Sequence, residues 1–168
     1  DYLGASSHTL VNLFCKPAVY FDEHPEYFAL HDGKRVNTQL CLTNPDVLDI
    51  VTNEAFALLE EKHNPDASIQ ILSITQNDNG DYCQCENCKA LDNENGSQAG
   101  TMLTFANEIA RRVKATGKYD NIAIDTFAYQ HTRKAPTNIV PRDDVIIRLC
   151  SIECCFGHTL DNPDCKEN

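Results

Sequence analysis

Short apolar runs alternate with amphipathic stretches along the chain, and their spacing predicts its elements. Four short, mainly apolar runs are predicted strands, at residues 10–15, 69–75, 122–128 and 145–152. Three of them lack a clean alternation of apolar and polar positions, which is typical of parallel strands covered on both faces. The run at 122–128 alternates more clearly, so we expect one of its faces to be partly polar.

Two segments between these runs have helical spacing and well-defined ends. Asn44 is a predicted N-cap and Pro45 occupies the first helical position, with apolar residues recurring until the helix stops at His63. A second apolar stripe predicts a helix over residues 97–116, which ends at Gly117. The sequence therefore contains two amphipathic helices, each lying between predicted strands.

The order of elements indicates an α/β fold with one working face. Alternating strands and helices imply parallel strands joined by right-handed crossovers. The loops that follow strands are long and the helix-to-strand connections are short, which is typical of the active-site face of (β/α)8 barrels. Residues 131–144 depart from this pattern because Pro136 and Pro141 argue against a crossover helix there.

Composition excludes several classes of protein. The chain has 168 residues and a net charge of −11, with 25 acidic and 14 basic residues, so a nucleic-acid-binding face is not expected. No apolar run approaches the ~18 residues of a membrane span, and no signal-peptide pattern is visible. The length suits one domain, but neither end of the chain has the character of a closing element. We therefore expect residues 1–168 to be a single domain truncated at both ends.

Two carboxyl groups follow predicted strands and are the candidate catalytic residues. Asp78 lies in the polar loop after residues 69–75, and Glu153 directly follows the last predicted strand. Two carboxyl groups in one cleft are what glycoside hydrolysis requires, since one protonates the leaving oxygen and the other attacks or activates water. Alternatively, the segment around Asp78 is turn chemistry or a partial calcium loop, although its glycine comes too early for the latter. Glu153 could instead pair with Arg148 or Arg133.

Polar side chains near these acids are candidates for holding a sugar. Tyrosine and glutamine stack on and hydrogen-bond to polyols, and an arginine can bind a carboxylate through two parallel hydrogen bonds. A histidine can donate to a sugar hydroxyl, but a lone histidine can equally be structural. The predicted substrate-binding residues are His8, Asn77, Asn79, Tyr129, Gln130 and Arg133.

Nine cysteines are the other conspicuous feature, and an odd number cannot pair completely. Cys83, Cys85 and Cys88 place three thiols in six residues, which suits half of a zinc or iron–sulfur site or part of a disulfide set. The fourth ligand of such a site would come from the second group, residues 150–155. Disulfides or buried thiols are favoured over a metal, so no cofactor is predicted.

Several motifs together carry a family resemblance. They read HPEYF at 24–28, QLCLTNP at 39–45, QNDN at 76–79, YCQCENC at 82–88, YQHTR at 129–133 and RLCSIEC at 148–154. With them the chain resembles a family of bacterial domains of unknown function, found inside larger proteins, that look like glycoside-hydrolase barrels. The resemblance implies a partial (β/α)8 barrel of about four parallel strands with crossover helices, completed by the rest of the full-length protein. It also implies an exported protein: periplasmic, cell-surface or secreted.

A more distant similarity concerns the β-hexosaminidases. In that family a helix led by Thr-Asn-Pro precedes a strand that ends in an acid pair, and residues 43–45 and 69–78 are similar to this arrangement. The similarity implies that Asp78 is the proton donor, while Asn77 in place of the first acid argues against a substrate acetamido group as nucleophile. The expected function is glycosidic bond hydrolysis on a glycan or oligosaccharide. The alternative is a non-catalytic glycan-binding or scaffolding module on a degenerate barrel.

Overall fold

The structure, a computed structural model, describes residues 1–166. Its elements follow in this order: a π-helical turn at Leu10–Phe14, α1 (Pro17–Tyr20), β1 (Phe28–His31), β2 (Lys34–Leu40), α2 (Pro45–Lys62), β3 (Gln70–Ser73), α3 (Glu86–Asn95), α4 (Ala99–Ala115), β4 (Ile122–Ala128) and β5 (Val145–Leu149). Short 3₁₀ turns lie at Pro25–Tyr27, Gln130–Thr132 and Ser151–Glu153. No helix of the described part is long and apolar enough to cross a membrane.

Two sheets form, one parallel and one antiparallel. The parallel sheet has the order β3-β4-β5, with Leu72 opposite Ile124 and Ile124 opposite Val145. All three of these side chains are buried. Because the strands are parallel, the loops that follow β3, β4 and β5 all leave from the same edge of the sheet. The antiparallel sheet is the hairpin of β1 and β2.

Two long helices supply most of the main core. The side chain of Asn44 accepts hydrogen bonds from two backbone N–H groups in the first turn of α2, so the predicted N-cap is confirmed. The stripe of α4 is buried over its length, from Met102 through Phe105 and Ile109. The predicted helices at 44–63 and 97–116 are therefore present, and the segment 131–144 forms no crossover helix beyond the 3₁₀ turn at Gln130–Thr132, as its prolines predicted.

The predicted barrel of four parallel strands is wrong. The parallel sheet has three strands, and the first predicted strand at 10–15 is a helical turn. Leu10 and Phe14 are buried in that turn, and a short apolar run satisfies a buried helix as well as a buried strand. Its place beside β3 is taken by the N-terminal residues, since Tyr2 bridges Ile71 in parallel and the Leu3 N–H donates to the Ile71 carbonyl at 2.8 Å.

The hairpin and α3 were not predicted. Asp32 and Gly33 form the hairpin turn with positive φ angles of 46° and 78°, a conformation suited to Asp-Gly turns. Helix α3 ends at Gly96, whose φ of 66° gives a left-handed C-cap. Strand β1 has only four residues, β2 is mostly polar, and α3 has few apolar residues, so hydrophobic periodicity does not detect them.

Candidate functional site

Four residues meet where the three parallel strands end. Asp78 follows β3, Tyr129 and Gln130 follow β4, and Glu153 follows β5. The Tyr129 hydroxyl donates to Asp78 Oδ1 at 2.7 Å, and Gln130 Nε2 donates to the same oxygen at 3.1 Å. The backbone N–H of Gln130 donates to Glu153 Oε2 at 2.8 Å. Gln130 therefore connects the two predicted catalytic carboxyl groups, and we call these four residues the carboxylate site.

An unusual backbone conformation aims Gln130 at both acids. Its φ is +49°, in the left-handed region that favours glycine, where a side chain such as glutamine costs about 1 kcal/mol or more. The 3₁₀ turn after β4 holds this conformation, because the Thr132 hydroxyl donates to the Phe127 carbonyl at 2.9 Å. In this left-handed conformation the backbone N–H is directed toward Glu153 and the side-chain amide toward Asp78.

Gln76, three residues after β3, supports the same turn, although the sequence did not single it out. Its Nε2 donates to the Tyr129 carbonyl at 3.0 Å and to the Thr132 hydroxyl at 2.7 Å. The side chain is buried, 1% exposed, so these bonds are made out of contact with solvent. In the sequence, this role was indicated only by a glutamine directly after an apolar predicted strand, where a buried amide needs hydrogen-bond partners.

Electrostatics keep Tyr129 a hydrogen-bond donor. The hydrogen bond to Asp78 raises the pKa of Tyr129 above its ordinary value, and the negative charges of Asp78 and Glu153 act in the same direction. The phenol is therefore protonated at neutral pH, and its O–H is directed at Asp78.

The amides on either side of Asp78 shape the loop. Gln39 of β2 donates to the Asn77 carbonyl at 3.0 Å and to Asn79 Oδ1 at 3.0 Å, while its own Oε1 accepts from the Asn77 N–H at 3.1 Å. Asn77 Nδ2 donates to the Thr38 carbonyl at 3.2 Å. The structure thus uses Asn77 and Asn79, both predicted sugar ligands, to anchor the loop on the hairpin and present Asp78.

His8 and Arg133, also predicted sugar ligands, contact different residues near the carboxylate site. His8 Nδ1 is 2.9 Å from the Gln76 carbonyl, and its ring packs edge-on against Phe127. Arg133 Nη2 contacts Cys154 Sγ at 3.0 Å, and Nη1 lies 3.4 Å from the Glu153 carbonyl. Arg133 is therefore beside Glu153, whereas His8 contacts Gln76 and Phe127, which both contact Tyr129.

An open groove of about 560 Å³ borders Gln130 and Glu153. Arg133 and Lys134 supply positive charge along it, and Leu160 contributes an apolar wall. Its volume lies within the usual ~300–1,000 Å³ of small-ligand sites. The groove combines hydrogen-bond donors, an acid and an apolar surface, which are the contacts a sugar ring uses.

An ion pair between buried Asp125 and partly exposed Arg148 was missed by sequence reasoning. Asp125 of β4 is 1% exposed and accepts from Arg148 Nη2 at 2.9 Å and from the Tyr2 hydroxyl at 2.8 Å. The Arg148 guanidinium also lies 4.5 Å from the centre of the Phe127 ring. Arg148 is thus the partner of Asp125 and not of Glu153. The alternation of residues 122–128 was the signal for this inward-facing acid.

His131 is a second missed residue. Burial lowers its pKa to about 4, so the ring is neutral at pH 7. The ring stacks on Tyr82 with 5.5 Å between centroids, and its Nδ1 has no hydrogen-bond partner among the described residues. Its position in the YQHTR segment, between Gln130 and Arg133, was the sequence feature that could have indicated its place near the site.

The three clustered cysteines acquire a fourth thiol from the hairpin. Cys83, Cys85 and Cys88 lie with Cys41, which directly follows β2, and their four Sγ atoms are within 4.8 Å of one another. The prediction that residues 150–155 supply the fourth ligand is wrong, because no cysteine of that segment belongs to this group. This group, the four-cysteine cluster, could hold a metal ion. A second group, Cys155, His158 and Cys165, has the same spacing of ligand atoms.

The described residues define an α/β domain whose polar and ionisable groups gather at the carboxyl ends of parallel strands. The chain belongs to the family Domain of unknown function (DUF4838), whose family model matches residues 2–167. Searches of curated proteins and of solved structures gave no match. The likeness to glycoside-hydrolase barrels and β-hexosaminidases is therefore a prediction from the sequence alone.

Proposed function

We propose that this domain binds a glycan and hydrolyses a glycosidic bond at the carboxylate site. The observation that carries the proposal is the double contact of Gln130, which donates to Asp78 with its side chain and to Glu153 with its backbone. A glycosidase requires two carboxyl groups at the bond that it cleaves, and here the two acids follow different strands. The predicted glycan partner and the predicted export of the protein belong to the same proposal.

The two acids take different roles in this mechanism. Tyr129 and Gln130 both donate to Oδ1 of Asp78, so Oδ2 is the oxygen that carries the proton to the leaving group. Glu153, held by a single backbone N–H, is the second carboxyl group, which attacks the anomeric carbon or activates water. Tyr129 and Gln130 orient Asp78, and the groove beside Glu153 receives the sugar.

The groove also favours a class of glycan. The chain as a whole is acidic, with a net charge of −11, yet Arg133 and Lys134 both line the groove. Guanidinium and ammonium groups bind carboxylate-bearing and polyhydroxylated rings through charge-assisted hydrogen bonds. A neutral or mildly acidic sugar fits this lining.

Exposure of both acids favours a second candidate, a glycan-binding module without catalysis. Asp78 and Glu153 are solvent-exposed, and each already accepts a hydrogen bond from the protein. A general acid needs a raised pKa, which burial usually supplies. On this alternative the same groove binds sugar, and the acids serve as hydrogen-bond acceptors.

Turnover and binding measurements on one set of variants separate the two candidates. The purified protein is incubated with a panel of oligosaccharides and polysaccharides, while new reducing ends and bound glycan are quantified. The proposal expects reducing ends from the wild type, a loss of at least about 100-fold in Asp78→Asn and Glu153→Gln, and full activity in the control Lys118→Ala. Binding without any release supports the module, and neither binding nor release overturns both.

A further inference from the structure

We propose that Cys41, Cys83, Cys85 and Cys88 bind one zinc ion, which fastens the β1–β2 hairpin to α3 and to the loop between them. Cys41 directly follows β2, Cys83 and Cys85 lie in the loop before α3, and Cys88 lies in its first turn. A structural zinc site of this kind is closed, with four protein ligands and no open position. The inference is independent of glycan hydrolysis.

The sulfur positions match a single tetrahedral metal ion. With zinc–sulfur bonds of about 2.3 Å, the sulfurs of a regular tetrahedron are about 3.8 Å apart. Cys41 Sγ lies 3.7 Å from Cys85 Sγ and 4.0 Å from Cys88 Sγ, and all four sulfurs are within 4.8 Å of one another. A disulfide would bring two sulfurs to about 2.0 Å. A multi-iron cluster would hold the sulfurs farther apart, because they bind different irons.

Hydrogen-bond donors surround the sulfurs as they do in metal–thiolate centres. The Leu30 N–H donates to Cys83 Sγ at 3.4 Å, and the Thr43 hydroxyl lies 3.1 Å from Cys88 Sγ. Cys85 is the N-cap of α3, so the positive end of the helix dipole faces the cluster. These outer contacts stabilise negative charge on sulfur, which a bound cation then neutralises.

Part of the hairpin packs on a small second cluster. Phe28 and Leu40 are buried in the main core, whereas Ala29 forms a separate buried cluster with Cys41, Cys83 and Cys88. One methyl group and three thiols bury little apolar area, so a cross-link among these sulfurs would add to the stability of this part of the hairpin. These sulfurs are free thiols, so a metal is the remaining cross-link.

The zinc site is linked to the carboxylate site through β2. Thr38 Oγ1 donates to Asp81 Oδ2 at 2.7 Å, and Gln39 makes the hydrogen bonds that hold Asn77 and Asn79. Asp78 lies within this bonded segment. Anchoring the end of β2 at Cys41 thus fixes the loop that presents Asp78.

Metal analysis of the purified protein tests the inference directly. Wild type prepared without chelators should contain about one zinc ion per chain at this cluster. Cys88→Ser should lose that zinc, whereas Cys150→Ser, a matched change of a half-buried cysteine outside the cluster, should keep it. Any zinc bound by the group around His158 would be the same in all three proteins and would cancel in the comparison.

Two further measurements hold even where Cys88→Ser does not fold. Cobalt added to chelator-treated wild type should give the intense thiolate-to-metal absorption and visible bands of a tetrahedral sulfur site. Chelation should speed amide hydrogen exchange in residues 28–41 and 77–88 while α4 stays protected. Zinc-free wild type without a cobalt–thiolate spectrum would overturn the inference, as would iron in place of zinc or disulfides among these four cysteines. None of these readouts involves glycan turnover, so their failure is distinct from failure of the proposed function.

Discussion

Helix propensity and packing make opposite predictions for Gly100→Ala. Gly100 lies in the first turn of α4, where it contacts Asn95, the last residue of α3. A Cβ at position 100 would lie 2.5 Å from the Asn95 Cβ and 2.9 Å from its Cγ and Nδ2. Carbon atoms pack at about 3.5–4.0 Å, so the two helices overlap by about 1 Å unless they separate.

The packing cost exceeds the gain in propensity. Replacing glycine by alanine inside a helix stabilises by about 1 kcal/mol. Overpacking a core costs about 1–3 kcal/mol, and here the obstructing atom is a Cβ attached to the backbone, which cannot rotate away. Asn95 is also 3% exposed, and its Nδ2 donates to the Leu91 carbonyl at 2.9 Å, so it resists displacement. We expect Gly100→Ala to lower the free energy of unfolding by about 2 kcal/mol.

Urea unfolding followed by circular dichroism measures this change. Gly80→Ala is the matched control, because a Cβ at position 80 meets no atom within 4 Å, and it should shift stability by less than about 0.5 kcal/mol. In an Asn95→Gly background, which removes the obstructing Cβ, Gly100→Ala should cost less. A Gly100→Ala protein as stable as the wild type, or more so, would refute the packing argument.

Three further predictions concern pH, a buried ion pair and a helix cap. His131 has a pKa of about 4 in the folded protein and an ordinary pKa of about 6.5 in the unfolded chain. The free energy of unfolding should therefore fall by about 3 kcal/mol as the pH falls from 6.5 to 4, and measurements of unfolding against pH should show no such loss in His131→Phe. Asp125→Ala leaves Arg148 without its buried partner and should cost about 3 kcal/mol in urea unfolding, part of which Arg148→Met in the same protein should restore. Asn44→Ala removes the side-chain cap of α2 and should lower the thermal midpoint through a loss of about 1 kcal/mol, whereas Asn44→Asp should not.

Elements with strong local signals were predictable from the sequence. Helix α2 has an N-cap with proline at the first position, and α4 has a continuous apolar stripe. Strand β4 matches its predicted range, and the three parallel strands place Asp78, Gln130 and Glu153 at one edge. Chain order alone implied that edge, because the carboxyl ends of parallel strands share it.

Contacts between distant segments were beyond the sequence. The run at 10–15 is apolar enough for a strand, yet it is a helical turn, because the N-terminal residues pair with β3 and the run packs against the end of that strand. Cys41 is 42 residues from Cys83 in the chain, and only the hairpin brings the two together. Local patterns carry no information about which far segment fills a given position.

The sequence by itself determined that this is an α/β domain with a polar edge, since helix caps, apolar periodicity and strand order are local properties. Tertiary structure decided that the sheet has three strands, that Gln130 joins the two acids, and that four thiols form one group. Each of these depends on hydrogen bonds or packing between residues far apart in the chain. Such contacts form only in the complete fold. Joining distant segments costs conformational entropy, and only the apolar surface buried by the whole domain offsets that cost.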